Sequence, residues 1–439
     1  MDWPEPFQIL QLFQQVAPPQ YWRRWNNRAG FPKRGIFCLP VVMWMMMSQR
    51  LEANGTLASA VQQLRRGGFR SLLRRCKRVR EGRISAAQGG YCQARQKLSK
   101  LVVGQIVDEL FQRLQAVLGH GQGPGPVFVL DGSSLLLQHR PDLQAAYPPG
   151  KNQHGEGHWP VLRLVVCQEV ESGLALRPSW GPLFGSPATS EQKLAEEVLE
   201  RLPEQAVVMG DRNVGVFSVA WAAQQHQKPM ILRLTNARAQ RLLRKPLTPG
   251  WEEAVVWQPS RDDRRAHPQI PAGASLPGRV VIAQLKGTRD TLLCLFTTLE
   301  QTASQVLELY RRRWNVETDL RSLKRTVRLH HLSARSVEMM DKELLLAIAA
   351  YNFVRTVMCL AAHKAGISPR QISFASVYSL VQIHLPDLLL AKSAKLWRQH
   401  MDLIVDYATA YKLPRRDKPR SFPRAVWGSG YRFPTRKSP

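Results

Sequence analysis

Apolar residues recur at three- and four-residue spacing from Pro40 to about Leu118, in VVMWMMMSQRL, LASAVQQL and LVVGQIVDELFQRLQAVL. One face of an α-helix buries that spacing, so the pattern predicts an all-α region. The segment GHGQGPGPVF breaks the period with Gly and Pro and reads as a linker. Beyond it the runs VFVL, VLRLVVCQEV, LALRPSW, AVVM and MILRL are short, aliphatic and bounded by turn residues, as strands of a buried sheet are. Helices are predicted between them, around Ser190 to Arg201 and from Val216 to His226. Three strands, a helix, a strand, a helix and a further strand make a mixed α/β layer structure.

From Asn236 to about Thr298 the chain becomes loop-rich and interrupts that pattern, with strands expected in PGWEEAVVWQP, RVVIAQLKG and TLLCLFTTL. Long helices follow, from Glu300 to about Thr326, from Val337 to about Ala365, and onward through Asp406. The last stretch, YKLPRRDKPRSFPRAVWGSGYRFPTRKSP, is basic, Pro-rich and aperiodic, and reads as an extended tail. The division expected is a helical region at 1–120, an α/β core at 127–235, a β-rich segment at 236–299, helices at 300–365 and a helical, basic end at 366–439.

Charge narrows the choice of partner. The 439 residues hold 62 Lys and Arg against 33 Asp and Glu, a net +29, and a surface this basic attracts nucleic acid by releasing condensed counterions. A hydrophobic share of 44% with 22% charged residues is that of a globular chain, long enough for about three folding units. Arg65, Arg66, Arg70, Arg74, Arg75, Lys77, Arg78, Arg80 and Arg83 crowd one short stretch with almost no acidic counterweight, which suits a DNA contact as well as a solvated face. The six cysteines stand singly and suit a reduced core. The opening MDWPEPFQIL is unlike a secretory signal, and the apolar run Ile36 to Met47 is too short to span a bilayer, so a cytoplasmic, nucleoid-associated protein is expected.

Candidate chemistry begins with two acids. Asp131 follows Val127-Phe128-Val129-Leu130, and Asp211 follows Val207-Val208-Met209-Gly210, so each carboxylate is expected at the end of an apolar strand. Asp also commonly begins turns, and either position fits that simpler role. The third element is LYRRRWNVETDLRSLKRTV. At about 100° per residue from Tyr310, Arg313 falls near 300°, Glu317 near 340° and Lys324 near 320°, one narrow face, while Asp319 points about 180° away. Glu317 could instead be only an ion-pair partner of Arg313 or Arg321. Three carboxylates suit Mg2+ or Mn2+, and two such ions serve in-line displacement at phosphorus. Tyr310, Arg313 and Lys324 would then hold the DNA backbone nearby.

At these residues the chain resembles the DDE transposases of the insertion-sequence-four family. Tyr310, Arg313 and Glu317, with six residues separating Glu317 from Lys324, are similar to that family's Tyr-Arg-Glu-Lys signature. Asp131-Gly132-Ser133 and Asp211-Arg212-Asn213 resemble its first and second Asp motifs, with Ser133 where the family often has Thr. His331-Leu332-Ser333-Ala334, Ala350-Tyr351-Asn352-Phe353-Val354-Arg355 and the helical N-terminal region also resemble it. The resemblance implies an RNase H-like core with a β-rich insertion before the catalytic Glu, and a site of Asp131, Asp211 and Glu317 binding two metal ions. It further implies DNA contacts at Tyr310, Arg313, Lys324 and Arg212, binding of terminal inverted repeats, pairing of ends as a homodimer, and hydrolysis followed by strand transfer. Trp251 or Trp257 could stack on a flipped base, or be buried in the insertion. A metal-dependent nuclease, a non-catalytic DNA-binding derivative and an RNA-binding structural protein remain as other readings.

Overall fold

The computed structural model describes residues 25, 31, 35–52, 55–69, 72–73, 76–118, 125–152, 155–285 and 292–414. Most of the Gly/Pro linker, Arg70, Arg74 and Arg75 of the basic run, and the tail from residue 415 lie outside them. Helices open the described chain: α1 (Leu39–Leu51), α2 (Leu57–Arg65), the short α3 (Lys77–Arg80), α4 (Gly89–Lys97) and α5 (Lys100–Leu118). Pro40 stands in the first turn of α1, where its missing N–H leaves no bond unmade, and most of α1 is buried. Arg65, Arg66, Lys77, Arg78, Arg80 and Arg83 are exposed.

The next stretch holds β1 (Val127–Leu136), α6 (Pro141–Ala146), the small hairpin β2 (Lys151–Asn152) and β3 (Gly155–Glu156), then β4 (Val161–Glu169) and β5 (Ser179–Pro182). It continues with α7 (Glu191–Leu199), β6 (Val207–Gly210), α8 (Phe217–Gln225), β7 (Met230–Leu234) and α9 (Asn236–Leu243). After these come β8 (Glu252–Trp257), α10 (Arg261–Ala266), β9 (Leu276–Gln284) and β10 (Leu292–Thr297). The central sheet has the order β5-β4-β1-β6-β7-β10-β9-β8, in which β1, β6 and β7 run parallel and the other neighbours antiparallel.

The loop-rich segment from residue 236 therefore does not interrupt the sheet; β10, β9 and β8 extend it beyond β7. The reason is visible in their alternation. Val280, Ile282 and Phe296 join the same core as Phe128, Leu130, Val208 and Leu232, while Val281, Leu293 and Leu295 join Val127, Val129, Val207, Met209 and Ile231 on the other face. Residues two apart on a strand share a face, so these strands complete both layers. The first face meets α1, α5 and the long helix α13 (Val337–Lys364); the second is covered by α11 (Ala303–Arg311) and α12 (Trp314–Arg321) through Val306, Tyr310 and Val316.

The stretch from Glu300 to Thr326 is not one helix. Arg312 and Arg313 donate to the carbonyls of Leu309 and Tyr310, and Asn315 and Val316 to those of Arg312 and Arg313, at 3.0–3.1 Å, a tightened turn between α11 and α12. The chain then widens into a π turn at Ser322–Thr326. Tightening adds rotation and widening removes it, so phases reckoned on one regular helix do not carry through to Lys324.

Helix α13 is long and apolar enough to cross a membrane by length and composition, yet its most apolar stretch is wholly buried inside the fold. Its polar residues tie the layers together. Asn352 donates to and accepts from the backbone of Ala175, at 2.9 and 2.8 Å, completing a sheet edge. Glu343 accepts from Arg50, Arg95 and Ser333, and Lys342 donates to the carbonyls of Arg95 and Gln96, which binds the N-terminal helices to α13. Helices α14 (Phe374–Leu390) and α15 (Ala394–Ala408) complete the described chain. Of the cysteines, Cys38, Cys76, Cys167, Cys294 and Cys359 are buried and Cys92 is partly exposed, all as free thiols.

Candidate active site

Parallel pairing of β1 with β6 sets Leu130 opposite Gly210. The next residue on each chain is an acid, so the register brings Asp131 and Asp211 side by side. By alternation both belong with Val129 and Met209, on the face that α11 and α12 cover. Contrary to expectation, β1 does not end at Asp131. It runs on to Leu136 beside β4, with Gly132 opposite Val165 and Leu136 opposite Val161. Gly132, Ser133 and Ser134 read locally as a turn, but the ladder with β4 carries them as strand. It is β6 that stops, at Gly210, so its pairing with β1 ends just before the two acids.

Asp211 accepts from the backbone N–H of Asn213 at 2.8 Å and of Val214 at 3.4 Å, an Asx turn that holds its carboxylate. Glu317 lies in the first turn of α12 and takes a bond of 3.3 Å from Arg313, which sits in the tightened turn and is mostly buried. The charge on Asp131 feels Asp211, Arg313, Glu191 and Glu317, so four acids and one guanidinium share this neighbourhood. Burial, and then Asp211, push the Asp131 carboxyl up to about 7 against the pull of Arg313.

Tyr310 is buried beneath the sheet rather than at a surface, 6% exposed, and its hydroxyl has no hydrogen-bond partner. Its surroundings include Asp211, Arg212, Arg233 and Arg313; burial raises the phenol to about 12, so it stays a donor. Lys324, on the π turn, reaches back to β1 and donates to Ser133 Oγ at 2.9 Å and to the Ser134 carbonyl at 3.0 Å. Such π turns recur at functional sites. Arg212 is exposed on the loop after β6. Asp319 points away from these groups, buried in ion pairs with Arg355 and Arg370.

The donor set suits a hard divalent cation, being carboxylate oxygens with an unpartnered hydroxyl beside them. Among the described residues no three acids stand close enough to enclose an ion as they are. Like charges keep apart, and Arg313 serves as their counterion. The sequence reading missed Glu191, which follows the helix-capping Ser190 and looks like an ordinary first-turn acid. Of the two tryptophans, Trp257 is buried edge-on against Phe217 and Phe296 and cannot stack on a base. Trp251 is 46% exposed, with the Lys245 ammonium 4.9 Å from its ring centre.

Comparison with known proteins gives the class of the chain that carries these acids. The transposase DDE domain model matches residues 122–353, more than half of the chain's 439 residues. The chain belongs to this family and is a DNA transposase, an enzyme of metal-dependent DNA cleavage and strand transfer. Over 363 residues it is 26% identical to the transposase InsG for insertion sequence element IS4 of Escherichia coli (strain K12), a match covering 80% of this chain and 78% of that protein. The resemblance to the insertion-sequence-four family is thereby borne out.

Proposed function

We propose that Asp131, Asp211 and Glu317 form the catalytic site, within an RNase H-like core made by β5, β4, β1, β6 and β7, and hold two Mg2+ or Mn2+ ions. The observation that carries this reading is the in-register pairing of β1 with β6, which sets the two Asp residues abreast under the helix bearing Glu317. When bound, the ions activate the attacking oxygen and stabilise the leaving one. The chain's own residues hold that arrangement. Arg313 neutralises the acids before an ion arrives, and Tyr310 offers its unshared O–H to a ligand oxygen. Lys324 and Arg212 hold the DNA backbone beside β1.

The enzyme binds the terminal inverted repeats of an insertion sequence and pairs two ends as a homodimer, with the exposed arginines of α2 and α3 on the DNA. The helical region at 1–120, the core at 127–235 and 300–365, the strands at 236–299 and the end at 366–439 are its functional parts, and it works on the nucleoid in the cytoplasm.

End DNA, a supercoiled target plasmid and Mg2+ test this with the full chain. Wild type is expected to release ends and join them to the plasmid. Asp211→Ala and Glu317→Ala are expected to lose both steps by at least about a thousandfold, while keeping DNA affinity, which rests on phosphate contacts. Release without joining points to a nuclease instead. Cleavage undiminished in either variant removes that residue from the site.

Lys324→Ala is expected to weaken end binding and to reduce the salt dependence of affinity by about one phosphate contact. The measurement is the slope of log affinity against log salt. An unaltered slope would make Lys324 only a brace for Ser133 and Ser134.

A further inference from the structure

Glu191 opens α7 directly after Ser190, whose Oγ accepts from the Lys193 N–H at 3.1 Å. An acid at that position ordinarily serves only the helix dipole. Its surroundings here are of another kind. The Glu191 carboxyl lies over Gly132, and a Cβ placed on Gly132 would stand 2.2–2.5 Å from its atoms. A side chain at this position would have to push the end of Glu191 aside, and Gly132 is the neighbour of Asp131. The start of α7 is also tied to the loop of the second acid, since Gln192 Nε2 donates to the Asn213 carbonyl at 2.8 Å and the Asn213 side chain bonds Glu191. Glu191 lies near enough to act on both Asp131 and Asp211.

The faces of the sheet give the direction of approach. Gly132 alternates with Asp131 and so belongs with Leu130 on the first face, where α7 packs through Leu194, Ala195 and Val198. Glu317 comes from α12 on the second face. Glu191 thus approaches Asp131 from the side of the sheet opposite Glu317. An independent observation points to a ligand beside these acids: the Tyr310 hydroxyl, on a side chain more than nine-tenths buried and within reach of the charges of Asp211 and Arg313, has no acceptor among the described residues.

We propose that Glu191 is a fourth carboxylate of the metal centre, ligating an ion jointly with Asp131 and Asp211 from the opposite side of the sheet to Glu317. This rests on the reading of Asp131, Asp211 and Glu317 as the metal site. The transposase would then hold its ions with four acids, and Gly132 would be required at its position because the fourth acid occupies the space of a side chain.

Mn2+ titration of the full-length protein, followed by the electron paramagnetic resonance signal of the free ion, tests the assignment without reference to turnover. Wild type, Glu191→Gln, Glu191→Asp and Asp131→Asn are compared, with thermal melts to establish that each variant folds. Glu191→Gln is expected to weaken at least one Mn2+ by 10- to 100-fold, in line with the loss of a supporting metal-site group. Glu191→Asp separates the two roles, because Asp serves a helix N-terminus as well as Glu but is one methylene too short to reach over Gly132. It is expected to bind Mn2+ as poorly as the Gln variant. Wild-type Mn2+ binding in both Glu191 variants, alongside a loss in Asp131→Asn, would overturn the proposal and leave the three-acid site standing. No loss in Asp131→Asn either would overturn both.

Discussion

Asp131→Asn is expected to abolish cleavage of element ends with Mg2+ and, in the same protein, to raise the melting temperature of the metal-free form above pH 7. The two effects have one cause. Asp131 is crowded by burial and by the charge of Asp211, so its carboxyl titrates near 7 in the folded chain against 3.8 ordinarily. Between those values the folded protein keeps a proton that the unfolded chain has lost. Stability therefore falls as pH rises through this window, and the penalty is complete above pH 7. Asn cannot ionise and escapes it. At 1.36 kcal/mol per unit the penalty reaches about 4 kcal/mol, and solvent at this partly exposed site reduces it to roughly 2 kcal/mol. Melts of both proteins without metal should differ little at pH 4, diverge between pH 4 and 7, and run parallel above. A difference that does not change with pH would show that Asp131 is not held in a crowded acid cluster. Metal occupancy should follow the opposite course, weakening about tenfold for each unit below pH 7 in wild type because one proton must be displaced.

How much of this was legible depended on whether the cause was local. The strands announced themselves because both faces of the sheet are buried, which makes Val127–Leu130 and Val207–Met209 continuous apolar runs, the first followed directly by an acid and the second by Gly210 and then an acid. Asp131 and Asp211 could be picked out on that ground, and Glu317 by its spacing from Tyr310 and Arg313. The continuation of β1 through Gly132, Ser133 and Ser134 could not, because it comes from pairing with a strand some thirty residues later. For the same reason the strands from residue 252 onward were recognisable, but not their attachment to β7. The tightened and widened turns around α12 leave the apolar spacing intact and show only in hydrogen bonds. Glu191 was hidden by an ordinary helix start, and the one available signal was a Gly beside a candidate acid, where space for another group is a reason for Gly. The motif Ala350 to Arg355 carried the family likeness without revealing its work, which is structural: Tyr351 donates to the Gly173 carbonyl, Asn352 pairs with Ala175, and Arg355 meets Asp319.

That last contact yields the largest stability effect. Asp319→Ala is expected to destabilise the fold by about 3–5 kcal/mol, the usual cost of leaving a buried charge without its partner. Here two cations depend on one carboxylate. The Arg355 guanidinium lies beside the stacked rings of Tyr351 and Phe374, 5.3 and 5.1 Å from their centres, and is buried. Arg370 bonds Asp319 at 2.6–2.7 Å while also donating to the carbonyls of Val170 and Glu169. Asp319 thereby fastens α12 to α13 and to the end of β4, two residues from Glu317. Denaturant melts measure the loss, and a change below about 1 kcal/mol would mean that the pair contributes no more than an exposed ion pair does. The position of Asp319 adds a second consequence. At temperatures where the variant remains folded, release of α12 should weaken Mn2+ binding although no ligand has been removed, whereas Arg370→Ala, which leaves the Arg355 pair in place, should disturb the metal less than Asp319→Ala does. Equal effects on the metal from the two variants would place the anchoring of Glu317 in Arg370 rather than in the buried pair.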